Sequence, residues 1–360
     1  MNNLQLIITI FTIMNTFLYP PETTAQTRQE VSFERIEGFP SQEKGIEKGV
    51  SACFAGTTDG MLVMAGGCNF PDVPAADGGK KKYYQGIYAA EITDRKQLDW
   101  QLIGQLPAAC AYGASVQTAD GLLFIGGCNA GESLRQVLKI NIKNQTAAVE
   151  ELTPLPVAMD NFTAGSNGRE VTAYDGKHLF TMDLQHIEKG WSEKASDANE
   201  KLGQPVGAYI NGTFHVWGGA TAKTDTKDAV LHISGRMFGD STRTILPPSD
   251  DTGREIYLGG STAVNTSDST LIVTGGVDKD VFLEAVNNPK PGYMTHPVEW
   301  YRFNACINLY DGHDWHLLGK SRITARAGAA MVHTDRGIYI IGGELKPGIR
   351  TPEIYRMTIK

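Results

Sequence analysis

The stretch of the chain best equipped for chemistry is Gly342-Gly343-Glu344-Leu345-Lys346-Pro347-Gly348-Ile349-Arg350-Thr351. A carboxylate follows a glycine pair directly, a guanidinium comes six residues later, and Pro347-Gly348 between them is a turn-forming dipeptide that folds one back onto the other. Beside a low-dielectric channel, Glu344 can take up and return a proton, while the planar fork of Arg350 suits two-pronged binding of a carboxylate. The same residue types also make an ion pair, Glu344 with Arg350 or with Lys346, that only orders the loop. On residue types alone this structural role is the simpler expectation.

Other polar groups recur after glycine pairs. Asn69 and Asn129 each stand in Gly-Gly-Cys-Asn, and Asp278 holds the comparable place in Gly-Gly-Val-Asp. Asn there can hydrogen-bond a ligand hydroxyl, or it can cap its own turn, with capping at least as well supported. Lys80-Lys81-Lys82-Tyr83-Tyr84 places a positive field that attracts an anion or simply remains solvated. The long segment 278–302, with Tyr293, His296, Trp300, Tyr301 and Arg302, either lies over a binding site or pads its rim. His313 and His316 face opposite sides of a strand and so do not share a metal. Residues 249–253, Ser-Asp-Asp-Thr-Gly, resemble part of a sialidase Asp-box turn but stand alone. No phosphate-cradling glycine loop and no Gly-x-Ser-x-Gly elbow is present, so neither a nucleotide cofactor nor a serine hydrolase is expected, and no metal or other cofactor is called for.

The elements that position these groups follow from repeats. Residues 59–67, 120–127, 211–219, 269–276 and 336–343 share one pattern, a turn, an apolar strand and Gly-Gly, and 175–182 reads as a sixth, degraded copy without the glycine pair. A small-residue strand precedes each turn, as in 113–116, 207–210 and 328–332, and a third strand follows at 85–90, 136–140, 229–233, 305–310 and 353–357. Trp100, Trp191 and Trp315 then mark a fourth strand. Four strands per unit of about 50 residues predict an all-β, six-bladed kelch-type β-propeller. Residues 31–36, ahead of the first repeat, are expected to complete the blade that ends the chain.

In bulk, 33 Lys+Arg against 40 Asp+Glu give a charge of −7, which excludes the basic footprint of a nucleic-acid binder. Forty glycines in 360 residues fit many tight turns. Five scattered cysteines imply no disulfide framework and at least one free thiol. Residues 1–26 read as a secretory signal, an apolar run followed by small residues, leaving one propeller domain over 27–360 with no membrane association after cleavage and an exported, periplasmic location.

With the blade pattern and the loop Gly-Glu-Leu-Lys-Pro-Gly-Ile-Arg-Thr, the sequence resembles the N-acetylneuraminate epimerases, exported sialic-acid mutarotases built as six-bladed kelch propellers. Residues 273–282, 327–332 and 111–114 extend the similarity across most of the chain. The resemblance implies that Glu344 and Arg350 are the catalytic pair, with Asn69, Asn129, Asp278, Lys346 and Arg302 around a small sugar-acid substrate. It also implies cofactor-free interconversion of the α and β anomers of N-acetylneuraminate. Two features depart from the family pattern. The blade bearing Glu344 is last rather than internal, as in a circular permutation, and Asp278 stands where Asn is common. The alternatives are a kelch module that binds protein or glycan without catalysis, and a sialidase-like hydrolase drawing arginines from Arg135, Arg302 and Arg350.

Overall fold

Short runs of β-branched and aromatic residues, each ended by glycine, cannot make long sheets and instead make small ones. In the computed structural model, which describes residues 30–196, 199–239 and 241–360, they form six four-stranded antiparallel sheets. In the first blade the order from the channel outward is Phe54–Thr58, Met61–Ala65, Gly86–Glu91 and Gln101–Gln105. The expected closure is present. Val31–Ile36 pairs antiparallel with Ile354–Ile359, so that the sixth blade is built from both ends of the described chain. The leader expected at 1–26 lies outside the described residues.

Two strand assignments need correction. In the third blade Asp175-Gly176 follows the second strand, Glu170–Tyr174, instead of opening it, and the hairpin turn is at Gly168. Asp175-Gly176 therefore occupies the place of a glycine pair, with Gly176 at φ 91°. In the fourth blade the third strand is Gly235–Phe238 and not 229–233. Ala229 is held elsewhere, its N–H donating to Asn287 Oδ1 at 2.8 Å and its carbonyl accepting from Asn287 Nδ2 at 3.1 Å. Trp191 and Trp315 begin outer strands as expected, whereas Trp100 only precedes one.

Apolar clusters lie between successive blades, where sheet faces pack on one another. Phe54 of the first blade stacks on Phe124 of the second at 4.7 Å between centroids, and Tyr339 and Ile341 of the sixth pack with Leu62 and Met64 of the first. The glycine pairs join neighbours through the backbone. Gly343 N–H donates to Val50 O at 2.8 Å, Gly67 N–H to Cys110 O at 2.9 Å and Gly276 N–H to Arg326 O at 2.9 Å.

One further element was not foreseen. Ala52, Tyr112, Asn161, Gln204, Gly260 and Gly328, one residue per blade, close a ring of backbone hydrogen bonds. Each N–H donates to the carbonyl of the previous member, at 2.6 to 3.3 Å, and Ala52 N–H returns to Gly328 O. All six sit at φ between 52° and 70°. For Ala52, Tyr112 and Gln204 this left-handed backbone is unfavourable, and the ring of satisfied donors offsets it.

Candidate active site

Glu344 and Arg350 are brought together as the turn dipeptide predicts. Strands Glu344–Lys346 and Ile349–Arg350 form a small hairpin in which the two residues are directly paired. Arg350 Nη1 lies 2.7 Å from Glu344 Oε1 and its Nε–H donates to Ser51 Oγ at 3.0 Å. Nη1 is buried and its contact with Oε1 is off the N–H direction, so the attraction is ionic more than a well-aligned hydrogen bond. Gly348 N–H donates to the same Oε1 at 2.6 Å. One carboxylate oxygen is thus anchored, and Oε2 has no protein partner among the described residues. The Arg350 guanidinium also lies over the Phe70 ring, 5.0 Å from its centroid.

Beside this hairpin is a cavity of about 310 Å³, within the range for small-molecule sites. Glu344, Ser51, Tyr112, Gln204, Phe282 and Tyr301 are among its lining residues. Ring members Tyr112, Gln204 and Gly328 thus contribute to its wall. The 278–302 segment supplies the opposite wall through the helix Lys279–Asn287 and short turns at Tyr293–Thr295 and Val298–Tyr301. It forms part of the wall of the site. Lys346 ties the hairpin to it, its ammonium donating to His296 O at 2.6 Å. Burial pushes the Tyr293 phenol up to about 12, and Tyr301 donates its hydroxyl to Tyr293 O.

The other sequence candidates fall into scaffold positions. Residues immediately after a glycine pair, Cys68, Cys128 and Glu344, bridge to Ser51, Ala111 and Ala327 just ahead of the ring, and Glu344 turns to the cavity. The next residue along a strand faces the other way. Asn69 is buried accordingly, its amide donating to Gly45 O and Gly49 O, each at 2.8 Å, and its carbonyl accepting from Tyr84 at 2.8 Å. Asn129 caps its own turn, accepting from Gly131 N–H and Glu132 N–H. Asp278 borders the cavity, but Oδ1 caps the helix by accepting from Asp280 N–H and Val281 N–H. It is also gripped by Arg302 at 2.9 Å and Arg254 at 3.1 Å. Arg135 donates to Leu155 O, so Arg135, Arg302 and Arg350 each have a separate partner. His316 pairs with Asp311 at 2.7 Å, and no metal-binding group of His, Cys, Asp and Glu occurs among the described residues. The five thiols are free, and no described helix is long and apolar enough to cross a membrane.

Fold and site define a six-bladed propeller with a paired carboxylate and guanidinium beside a pocket. The chain belongs to the N-acetylneuraminate epimerase family, whose model matches residues 20–149 and 154–360. An N-acetylneuraminate epimerase of Salmonella enteritidis is 25% identical over 228 residues, covering 60% of this chain and 56% of that protein. One of Brucella melitensis is 27% identical over 242 residues, covering 59% and 60%. The chain therefore aligns with somewhat over half the length of these relatives. The solved structure of YjhT superposes with a TM-score of 0.59 over 90% of this chain and 99% of that one. At 13% identity this likeness is one of fold.

Proposed function

We propose that this chain interconverts the α and β anomers of N-acetylneuraminate without a cofactor, by acid/base-assisted opening and closing of the sugar ring. The observation that carries the proposal is the state of Glu344. Oε1 is fixed by Arg350 and Gly348, while Oε2 is unengaged on a residue that borders the cavity. A carboxylate anchored through one oxygen presents the other as a base at a defined point, which is what proton transfer from an anomeric hydroxyl requires. A loop-ordering ion pair would not by itself need a cavity beside it.

Arg350 acts here through Glu344. Its side chain is buried beneath the hairpin and is occupied by Glu344 and Ser51, so it keeps the base oriented. The placing of Glu344 and Arg350 in the last blade is consistent with a permuted order, because closing the ring restores the same neighbours wherever the chain is cut. The test is proton NMR of freshly released α-N-acetylneuraminate, with α-glucose as a neutral comparison. Faster equilibration of the sugar acid alone supports the proposal. Acceleration of glucose alone would reassign the substrate class, and no acceleration of either would reject the activity.

A further inference from the structure

Ring opening needs a second proton carrier, since one proton leaves the anomeric hydroxyl while another must reach the ring oxygen. We propose that Tyr112 is that carrier and that Lys81 is the positioning residue that directs its hydroxyl proton outward; the inference rests on the mutarotase activity proposed above. Tyr112 lines the same cavity as Glu344. Lys81 Nζ donates to the Tyr112 hydroxyl at 3.0 Å and lies 4.9 Å from its ring centroid. An ammonium has only protons to give, so the phenol oxygen must accept, and the phenol's own proton, which at rest faces the Cys68 side chain, is the one a ring oxygen in the cavity would take. Among the described residues Lys81 has no carboxylate partner, leaving its charge available to a phenolate. The backbone adds a second observation. Tyr112 is held at φ 62° in the hydrogen-bonded ring, a left-handed conformation that costs a bulky residue energy and that fixes where its side chain departs.

The charged and titratable groups around the hydroxyl are Lys81, Cys68, Arg350 and Glu344. Burial holds the phenol well above its ordinary range, with Cys68 and Glu344 acting in the same direction and Arg350 against it, so at neutral pH it stands protonated as an acid. In the opening step Glu344 takes the anomeric hydroxyl proton and a carbonyl forms at the anomeric carbon. The bond from that carbon to the ring oxygen breaks, and its electron pair accepts the Tyr112 proton. The phenolate left behind is balanced by Lys81. Closure on the opposite face reverses each transfer, returning the hydroxyl proton to Tyr112 and the Glu344 proton to the carbonyl oxygen, with no oxidant or co-reactant.

The test measures anomerisation rates for wild type, Tyr112→Phe, Lys81→Met, Lys81→Arg and Glu344→Gln, with thermal melting of each as the folding control. Phe keeps the ring and the backbone bonds, and its kcat should fall about 100-fold with KM little changed. Lys81→Met should lower kcat with KM little changed, and Lys81→Arg should restore it. Tyr112→Phe at wild-type kcat, Lys81→Met with an unchanged kcat, or no rescue by Lys81→Arg overturns the assignment. If wild type accelerates anomerisation and Glu344→Gln does not, such a result refutes the Tyr112 assignment alone; no acceleration by wild type overturns both proposals.

Discussion

Gly342→Ala should be far more damaging than its single added methyl suggests. Gly342 has φ +61°, and a Cβ built there meets the Val50 carbonyl oxygen at 2.4 Å, about 1 Å inside the 3.4 Å at which ordinary contact begins. That same carbonyl accepts the Gly343 N–H at 2.8 Å, so moving it away also breaks the bond that links the sixth blade to the first. Left-handed backbone costs an alanine about 1–2 kcal/mol and the lost hydrogen bond about 1 kcal/mol more, for a total of about 2–3 kcal/mol before the steric contact is relaxed. The matched control is Gly212→Ala, in the Asn211-Gly212 turn, where φ is +76° but nothing lies within 4 Å. It should lose only the conformational part, about 1–2 kcal/mol. Urea unfolding of the two variants against wild type measures the difference directly. Activity should separate them as well, because Ser51 follows Val50 and holds Arg350, and a displacement of about 1 Å in such a support can cost about 100-fold in rate. Equal destabilisation of the two variants, or full activity in Gly342→Ala, would refute the account of the glycine pair as an interblade clamp.

Asn69→Ala should destabilise the fold by about 2–4 kcal/mol, because Gly45 O, Gly49 O and the Tyr84 hydroxyl lose a buried partner, while the folded fraction keeps its specific activity. Asp278→Ala should remove the helix cap at a cost of about 1 kcal/mol and release Arg254 and Arg302, raising KM more than it lowers kcat. Asp311 accepts backbone N–H bonds from Asp314 and His313 as well as a contact from His316, and these hold its carboxyl down to about 2. A folded-state value below the unfolded one stabilises above the unfolded value, so this contribution should be lost as pH falls from about 4 to about 2, and Asp311→Asn should flatten acid unfolding over that interval.

Much of this was visible in the chain because glycine and hydrophobic period report backbone geometry. The glycine pairs mark where blades touch, and the strand-like stretch at 31–36, ahead of the first repeat, has no other sheet to join. The third blade was misread by one strand because Asp175-Gly176 looks like the Asp-Gly turns elsewhere, yet positive φ after the second strand admits the same dipeptide. At 229–233 the apolar pattern is real, but Asn287, 58 residues away, claims the backbone of Ala229. Asn69 and Asp278 are polar and correctly spaced, but strand alternation and long-range partners decide where their oxygens go. Tyr112 was within a stretch of family similarity; what no local pattern revealed was the six-residue ring that sets its backbone, because the ring exists only once all blades are in place. Phe70 and Ser51 carry no local signal for the same reason, since both meet Arg350 from another blade.

The central claim is that Glu344 is the base of a sugar-acid mutarotase. The most direct measurement is the initial rate of α to β conversion of N-acetylneuraminate, followed by NMR for equal amounts of wild type and Glu344→Gln. Gln keeps the size and one oxygen of the side chain but cannot carry the proton. Conversion above the spontaneous rate with wild type and at the spontaneous rate with the variant is the predicted result. Equal acceleration by both proteins would contradict it.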